Sequence, residues 1–203
     1  MVFSALASSY SVLTDDEREL GVCVVDIGAG TIDLVIYAEG AIRHSAVIPV
    51  AGNQITGDIA KIFRTPVNNA ETLKVKYACA LKDMVNQEQT IQVPSVGGRE
   101  ARTMARHTLA EVIEPRYQEI FELVRDQIRS SGLDEQIAAG LVLTGGSAKM
   151  EGAVEFAEEI FQMPVRIGKP LQVKGLTDYV NDPSMAVATG LLQYGKQEKD
   201  ETQ

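Results

Sequence analysis

Asp26, Gly28, Gly30 and Thr31 stand close together in Val24-Val25-Asp26-Ile27-Gly28-Ala29-Gly30-Thr31-Ile32-Asp33, a spacing that could hold a phosphate group and its magnesium ion. Before them, Gly21 to Val25 is a short apolar run rich in β-branched residues. After them, Ile32, Leu34 and Ile36 alternate with Thr31, Asp33, Val35 and Tyr37, so both flanks are predicted strands. The Gly-Ala-Gly tip of such a hairpin can turn its backbone N–H groups into a shared concavity that binds anions, because glycine lacks a Cβ and tolerates unusual dihedrals. Asp26 would then hold a Mg²⁺ through water beside that nest, with the Thr31 hydroxyl donating to a phosphate oxygen. A dinucleotide loop is excluded: it needs a helix next and a third glycine, where this chain has Asp33 and a strand pattern. An ordinary hairpin with glycines at a tight turn remains the competing reading.

A second glycine turn lies far along the chain. Gly140-Leu141-Val142-Leu143-Thr144 is an apolar strand that runs into Gly145-Gly146-Ser147, and a strand buried on both faces delivers its carboxyl end to a ligand in open α/β sheets. By itself a glycine pair after a strand is equally a simple tight turn. Between the two turns, Glu71 and Lys74 share a helix face, where the plain reading is a charge at a helix start and its partner three residues on.

The chain has 203 residues, 45% of them hydrophobic, enough for one ample core or two modest domains. A formal charge of −9 excludes a nucleic-acid binder resting on a basic surface, while leaving room for a nucleotide in a cleft with a few local donors. Cys23 and Cys79, the latter in a helical pattern, have no C-x-x-C partner and no secretory signal ahead of them, so both are expected as buried, reduced thiols. His44 and His107 stand alone and carry no site. No apolar run approaches the roughly 20 residues that a membrane span needs.

Phe3, Leu6, Tyr10 and Leu13 predict a helix over residues 2–19, which ends in the solvated turn Asp15-Asp16-Glu17-Arg18-Glu19. An opening in mid-helix suggests a piece of a longer chain. A third strand follows over 41–50, then a helix from Gly52 with Ile55, Ile59, Ile62 and Phe63 on its apolar stripe. Asn68 and Asn69 are read as caps of a helix over 70–81, and 90–96 with 101–105 as a hairpin whose outer strand is basic. The longest helix carries Leu109, Val112, Ile113, Tyr117, Ile120, Phe121, Val124 and Ile128, with a kink expected at Pro115. Residues 153–161 form a helix, 165–167 a strand, and Met185, Ala188, Leu191 and Leu192 mark a last helix that ends near Gly195, ahead of a polar, disordered tail.

The order is β-β-β-α, an inserted segment, then β-α-β-α, which resembles the duplicated unit of the actin, sugar-kinase and heat-shock ATPase superfold. Val24 to Asp33 looks like its second phosphate motif and Leu141 to Ser147 like its adenosine motif. Within the superfold, Ala7-Ser8-Ser9-Tyr10-Ser11-Val12-Leu13-Thr14, Gly21-Val22-Cys23-Val24-Val25-Asp26-Ile27-Gly28, Thr108-Leu109-Ala110-Glu111-Val112-Ile113-Glu114-Pro115-Arg116-Tyr117 and Gly175-Leu176-Thr177-Asp178-Tyr179 resemble the bacterial cell-division family FtsA over nearly all 203 residues.

The resemblance implies an actin-like ATPase (ribonuclease H-like) α/β fold, βββαβαβα, with a small inserted α+β subdomain. Residues 1–64 and 135–203 would form subdomain IIA, and 65–134 the insert IIB. It implies ATP and Mg²⁺ as cofactors, with Asp26 beside the metal through water, Gly28, Gly30 and Thr31 on the β- and γ-phosphates, and Gly145, Gly146 and Ser147 along the adenosine. Glu71-x-x-Lys74 matches the pair that touches ribose and adenine, which reverses the plain reading of those two residues. It further implies filament formation with copies of itself, contact with other divisome proteins, and tethering of the FtsZ ring at the cytoplasmic face of the inner membrane. No nucleic acid is implied. Arg102, Arg106 and Arg116 are candidates for the acidic FtsZ C-terminal tail by region of the insert alone. The family's first phosphate loop, extra subdomain and C-terminal membrane helix have no counterpart here, so the chain reads as the second half of such a protein, expected to bind ATP weakly and hydrolyse none. A sugar or acyl kinase, or a rod-shape or pilus actin homologue, shares both motifs and differs in the quoted strings.

Overall fold

The computed structural model describes residues 3–171 and 180–200, the side chains of 197–200 excepted, so the string 175–179 lies outside the described residues. A five-stranded sheet runs in the order β3-β2-β1-β6-β7. Its strands are β1 (Val22–Ile27), β2 (Ile32–Ala38), β3 (Ala41–Ile48), β6 (Leu141–Thr144) and β7 (Val165–Ile167). The first three pair antiparallel, and β1, β6 and β7 pair parallel. β1 is buried along its whole length because both faces of the sheet are covered. Cys23, Val25 and Ile27 join the larger core with Ile32, Leu34 and Ile36, while Val22 and Val24 join Val35, Tyr37 and Val142 on the other side. The alternation read along residues 31–37 therefore sorts β2 onto two cores.

The larger core is built by α3 (Gly52–Phe63), α5 (Arg106–Ser131) and α6 (Ala153–Phe161). Phe121 is its centre, edge-on to Tyr117, Phe156 and Phe161 with centroids 5.4, 6.0 and 5.8 Å away. α5 runs 26 residues as one helix through Pro115. Between α3 and α5 come α4 (Val67–Tyr77) and the two-stranded sheet of β4 (Thr90–Val93) and β5 (Arg102–Ala105), shorter than the hairpin expected. Ile62, counted with the stripe of α3, is 60% exposed. α4 starts at Val67 with Pro66 as its N-cap residue, which puts Asn68 and Asn69 inside the first turn rather than at the cap. Cys79 lies beyond that helix, bridged to Glu151, and both thiols are free and buried.

The N-terminal stretch is two helices, not a helix and a turn. α1 (Ser4–Val12) stops at Leu13. The run after it is α2 (Asp15–Leu20), because Thr14 and Glu17 form a reciprocal capping box and the acids sit in its first turn. Arg166 of β7 clasps α2 through both oxygens of Glu17, at 2.6 and 2.8 Å.

The last helix, α7 (Ala186–Asp200), continues past Gly195, so Lys196 onward is not a disordered tail as far as Asp200. Met185, Leu191 and Leu192, taken as marking that helix, are 36, 43 and 77% exposed. The helix packs on α1 through its buried small positions Ala186, Thr189 and Gly190, and through Tyr194, edge-on to Tyr10 of α1 with centroids 5.3 Å apart. The Ser11 hydroxyl donates to the Ala186 carbonyl at 2.7 Å. A Cβ on Gly190 would fall 1.6 Å from the Ala7 carbonyl oxygen, so the two backbones touch. Gly190→Ala should cost about 3 kcal/mol in urea unfolding, while Gly195→Ala on the same helix, with nothing within 4 Å of its added carbon, should gain up to about 1 kcal/mol. Equal effects of the two would contradict the close approach.

Candidate functional site

The turn between β1 and β2 closes with Gly28 N donating to the Thr31 carbonyl at 3.0 Å. α3 then starts directly on it: Gly52 N donates to the Gly28 carbonyl at 3.2 Å and Asn53 N to the Ala29 carbonyl at 2.7 Å. The carbonyls of Gly28 and Ala29 are thus taken by the helix. The amides of the exposed Ala29 and Gly30 have no acceptor among the described residues.

β6 delivers the other turn. Gly145 has φ +88° and its Cβ would stand 2.5 Å from Asp26 Oδ1 and 2.6 Å from the Ile27 carbonyl, so only glycine fits. A short 3₁₀ turn over Gly146–Lys149 follows. Within it the Ser147 hydroxyl donates to the Gly28 carbonyl at 3.0 Å, and the buried Tyr117 hydroxyl of α5 donates to the Ser147 carbonyl. The two glycine turns, more than a hundred residues apart, are hydrogen-bonded to one another.

Above them opens a cleft of about 490 Å³ lined by Gly28, Ala29, Asn53, Glu71, Lys74, Val75, Lys76, Ala78, Arg106, Gly146, Ser147, Lys149, Met150 and Glu151. Gly28, Gly146, Ser147, Glu71 and Lys74 of the expected set therefore meet around one space. Asp26, Gly30, Thr31 and Gly145 do not line it. Gly145 and Asp26 lie against each other behind the turns, and the Thr31 hydroxyl donates to Asp33 Oδ2 at 3.1 Å.

Asp26 is 7% exposed and its Oδ2 has no hydrogen-bond partner. Burial pushes its pKa up from 3.8 to about 6, against a smaller downward pull from the Ser8 hydroxyl, with the Asp33 charge adding to the rise. A buried carboxylate left with an open oxygen suits a cation or a water brought by a ligand. Among the described residues no group of three or more His, Cys, Asp or Glu is placed to hold a metal alone.

Lys74 is a tether. Its ammonium donates to the Gly52 carbonyl at 3.2 Å and the Thr56 hydroxyl at 2.9 Å, and pairs with Glu71 Oε2 at 2.8 Å. Burial raises the Glu71 pKa, but the Lys74 and Thr56 hydrogen bonds outweigh it and hold the carboxyl below its usual range. Thr56 went unnoticed in the sequence because it sits beside the apolar stripe of α3. Lys149, Met150 and Glu151, beginning two residues past Gly145-Gly146-Ser147, also line the cleft and have no motif that marks them in the sequence.

The three arginines do not form one open basic patch. Arg116 grips Asp58 of α3 at 2.7 and 3.1 Å and also bonds Glu119. Arg102 donates to the Phe63 carbonyl at the end of the same helix. Arg106 turns into the cleft, where it bonds the Tyr77 carbonyl and Glu151.

Because its folded pKa is raised, Asp26 favours the fold's protonated form. It costs nothing below about pH 4, and as pH climbs from about 4 through 6 it comes to cost the folded state about 3 kcal/mol. Asp26→Asn should therefore unfold later than wild type at pH 7.5, with the difference shrinking to near zero at pH 4. A difference independent of pH would show that burial does not disfavour the charge.

Residues 23–190 match the family described as Cell division protein FtsA. The Cell division protein FtsA of Pseudomonas aeruginosa is 58% identical over 201 residues, covering 99% of this chain and 48% of that protein. That of Escherichia coli K12 is 53% identical over 204 residues, covering 97% and 49%. This chain thus spans about half the length of the curated relatives it matches. Among solved structures, MreB5 of Spiroplasma citri bound to ADP superposes with a TM-score of 0.79 at 22% identity, over 99% of this chain and 61% of that one. At that identity the likeness shows the fold alone, that of the actin-like ATPases. The chain belongs to the FtsA family of cell-division proteins.

Proposed function

We propose that this chain is the phosphate- and adenosine-binding half of an ATP-binding, actin-like cell-division protein that polymerises and tethers the FtsZ ring to the inner membrane from its cytoplasmic face. The observation that carries this reading is the hydrogen bond from Ser147 Oγ to the Gly28 carbonyl, which sets the two glycine turns side by side over a single cleft. The shared fold with MreB5, whose structure holds ADP, supports it.

The residues fit a magnesium nucleotide. Gly28 and Ala29, the latter with a free amide, line what would be the phosphate end, Gly30 and Thr31 lie just beyond that lining, and the open oxygen of Asp26 stands behind the turns for a metal-bound water. Glu71, held by Lys74 and Thr56, offers acceptors to a ribose, and Gly146 and Ser147, backed by Gly145, form the adenosine wall. When bound, Mg²⁺ neutralises phosphate charge and ATP supplies a cleavable phosphate. This chain's own residues orient both. Residues 1–64 and 135–203 act as the nucleotide-holding subdomain and 65–134 as the insert, with α5 packed into the core of the first. No described helix is long and apolar enough to cross a membrane.

For the FtsZ tail, Arg102 and Arg116 lie along α3, and an acidic peptide must compete there with Asp58 and Glu119, so the complex is salt-sensitive. Arg106 would take part only where the tail reaches the cleft rim.

Calorimetric titration with Mg-ATP should show binding that Asp26→Asn weakens about tenfold or more, with Mg-free ATP unaffected. Unchanged Mg-ATP affinity in that variant, which folds at least as stably, would remove Asp26 from the metal side. An FtsZ C-terminal peptide should lose binding when Arg102 and Arg116 are both changed to Glu, and retained binding would discard that surface.

A further inference from the structure

The cleft has two unlike ends, and α4 measures the distance between them. At one end Lys74 reaches the Gly52 carbonyl, next to the Gly28 turn, and at the other Arg106 holds the Tyr77 carbonyl. From Glu71 to Ala78 the helix rises about 10 Å, close to the reach of a nucleoside. Glu71 and Glu151 both repel phosphate, so on the nucleotide reading proposed above, on which this inference rests, phosphates lie at the glycine turn and the base lies among Val75, Ala78 and Met150.

At that far end one side chain is fixed in place. Glu151 has its backbone carbonyl bonded by Ala80 N at 2.8 Å and one carboxylate oxygen held by Arg106. Arg106 is itself locked, only 12% exposed, by the Tyr77 carbonyl at 2.7 Å and Gln89 Oε1 at 3.0 Å. The second Glu151 oxygen, Oε1, has no partner among the described residues, and the side chain is 48% exposed on the cleft wall. A rigid acceptor with one open oxygen, beside an apolar slot, recognises an amino group on a flat ring.

We propose that Glu151, positioned by Arg106, is the base-reading residue of the cleft: its free oxygen accepts a hydrogen bond from the exocyclic amino group of adenine. Guanine would present a carbonyl oxygen at that ring position and be repelled. The acceptor is charged, so the bond strengthens as water leaves the slot. Glutamine cannot replace it, because Arg106 would take the amide oxygen and leave an NH₂ facing the base.

The test compares ATP with purine riboside triphosphate, which lacks only the amino group, by competition on the 203-residue wild-type chain in the presence of Mg²⁺. ATP should bind about tenfold or more tightly, and GTP should also be the weaker ligand. Glu151→Gln, checked for an unchanged melting profile, should bring ATP down to the affinity of purine riboside triphosphate while leaving the latter where it was. Equal binding of ATP and purine riboside triphosphate by wild type overturns the role of Glu151 and leaves the nucleotide site standing. GTP binding as tightly as ATP overturns it likewise. Binding of none of the three overturns the nucleotide reading and this inference together.

Discussion

One carbonyl oxygen, that of Gly28, fixes the geometry on which the cleft depends. It accepts Gly52 N at 3.2 Å and Ser147 Oγ at 3.0 Å, so both its lone pairs are used. The two donors come from the start of α3 and from the turn after β6, while Gly28 itself directly follows β1. Three elements are therefore held at one point by backbone and a short hydroxyl, with no long flexible side chain between them. Such a junction needs close approach: a Cβ on Gly52 would sit 2.5 Å from Ser147 Oγ, and one on Gly145 would strike Asp26 and Ile27. The glycines are spent on bringing backbones together, and the free amides of Ala29 and Gly30 are what that arrangement leaves facing out.

Charge in the cleft follows the same economy. Lys74, Arg106 and Lys149 are bound to Glu71, Glu151 and Asp182. Asp182 is held at a pKa of about 2, chiefly by the Lys149 hydrogen bond. Three of the cleft's cations are thus neutralised, while Lys76, also on its lining, has no ion pair among the described residues. Asp26 runs against stability: a buried carboxylate with an unpartnered oxygen destabilises the fold near neutral pH. Nothing in the packing asks for a charge there.

Much of this was legible in the sequence, and the failures have physical causes. The strand pattern around Asp26 and the apolar run before Gly145 identified β1, β2 and β6, because period-two alternation and double-sided burial leave strong marks. The apolar residues that marked the last helix do not form its buried face: hydrophobic patterns count large side chains, whereas α7 buries Ala186, Thr189 and Gly190, with Leu191 and Leu192 outside. The charged run before Gly21 was taken for a turn when Thr14-x-x-Glu17 is a capping box. The basic patch dissolved because its counter-charges are distant: Asp58 lies 58 positions from Arg116 and Glu151 lies 45 from Arg106. Periodicity sees along an element and says nothing about which acids will arrive from elsewhere.

Amide hydrogen exchange on the 203-residue chain, with and without Mg-ATP, tests the central claim most directly, because one ligand spanning both turns must touch both. Peptides containing Ala29 and Gly30 and peptides containing Gly146 and Ser147 should gain protection together, at the same nucleotide concentration. Protection of one turn without the other, or of neither at saturating Mg-ATP, would show that the junction at Gly28 is a structural weld and not the floor of a nucleotide site.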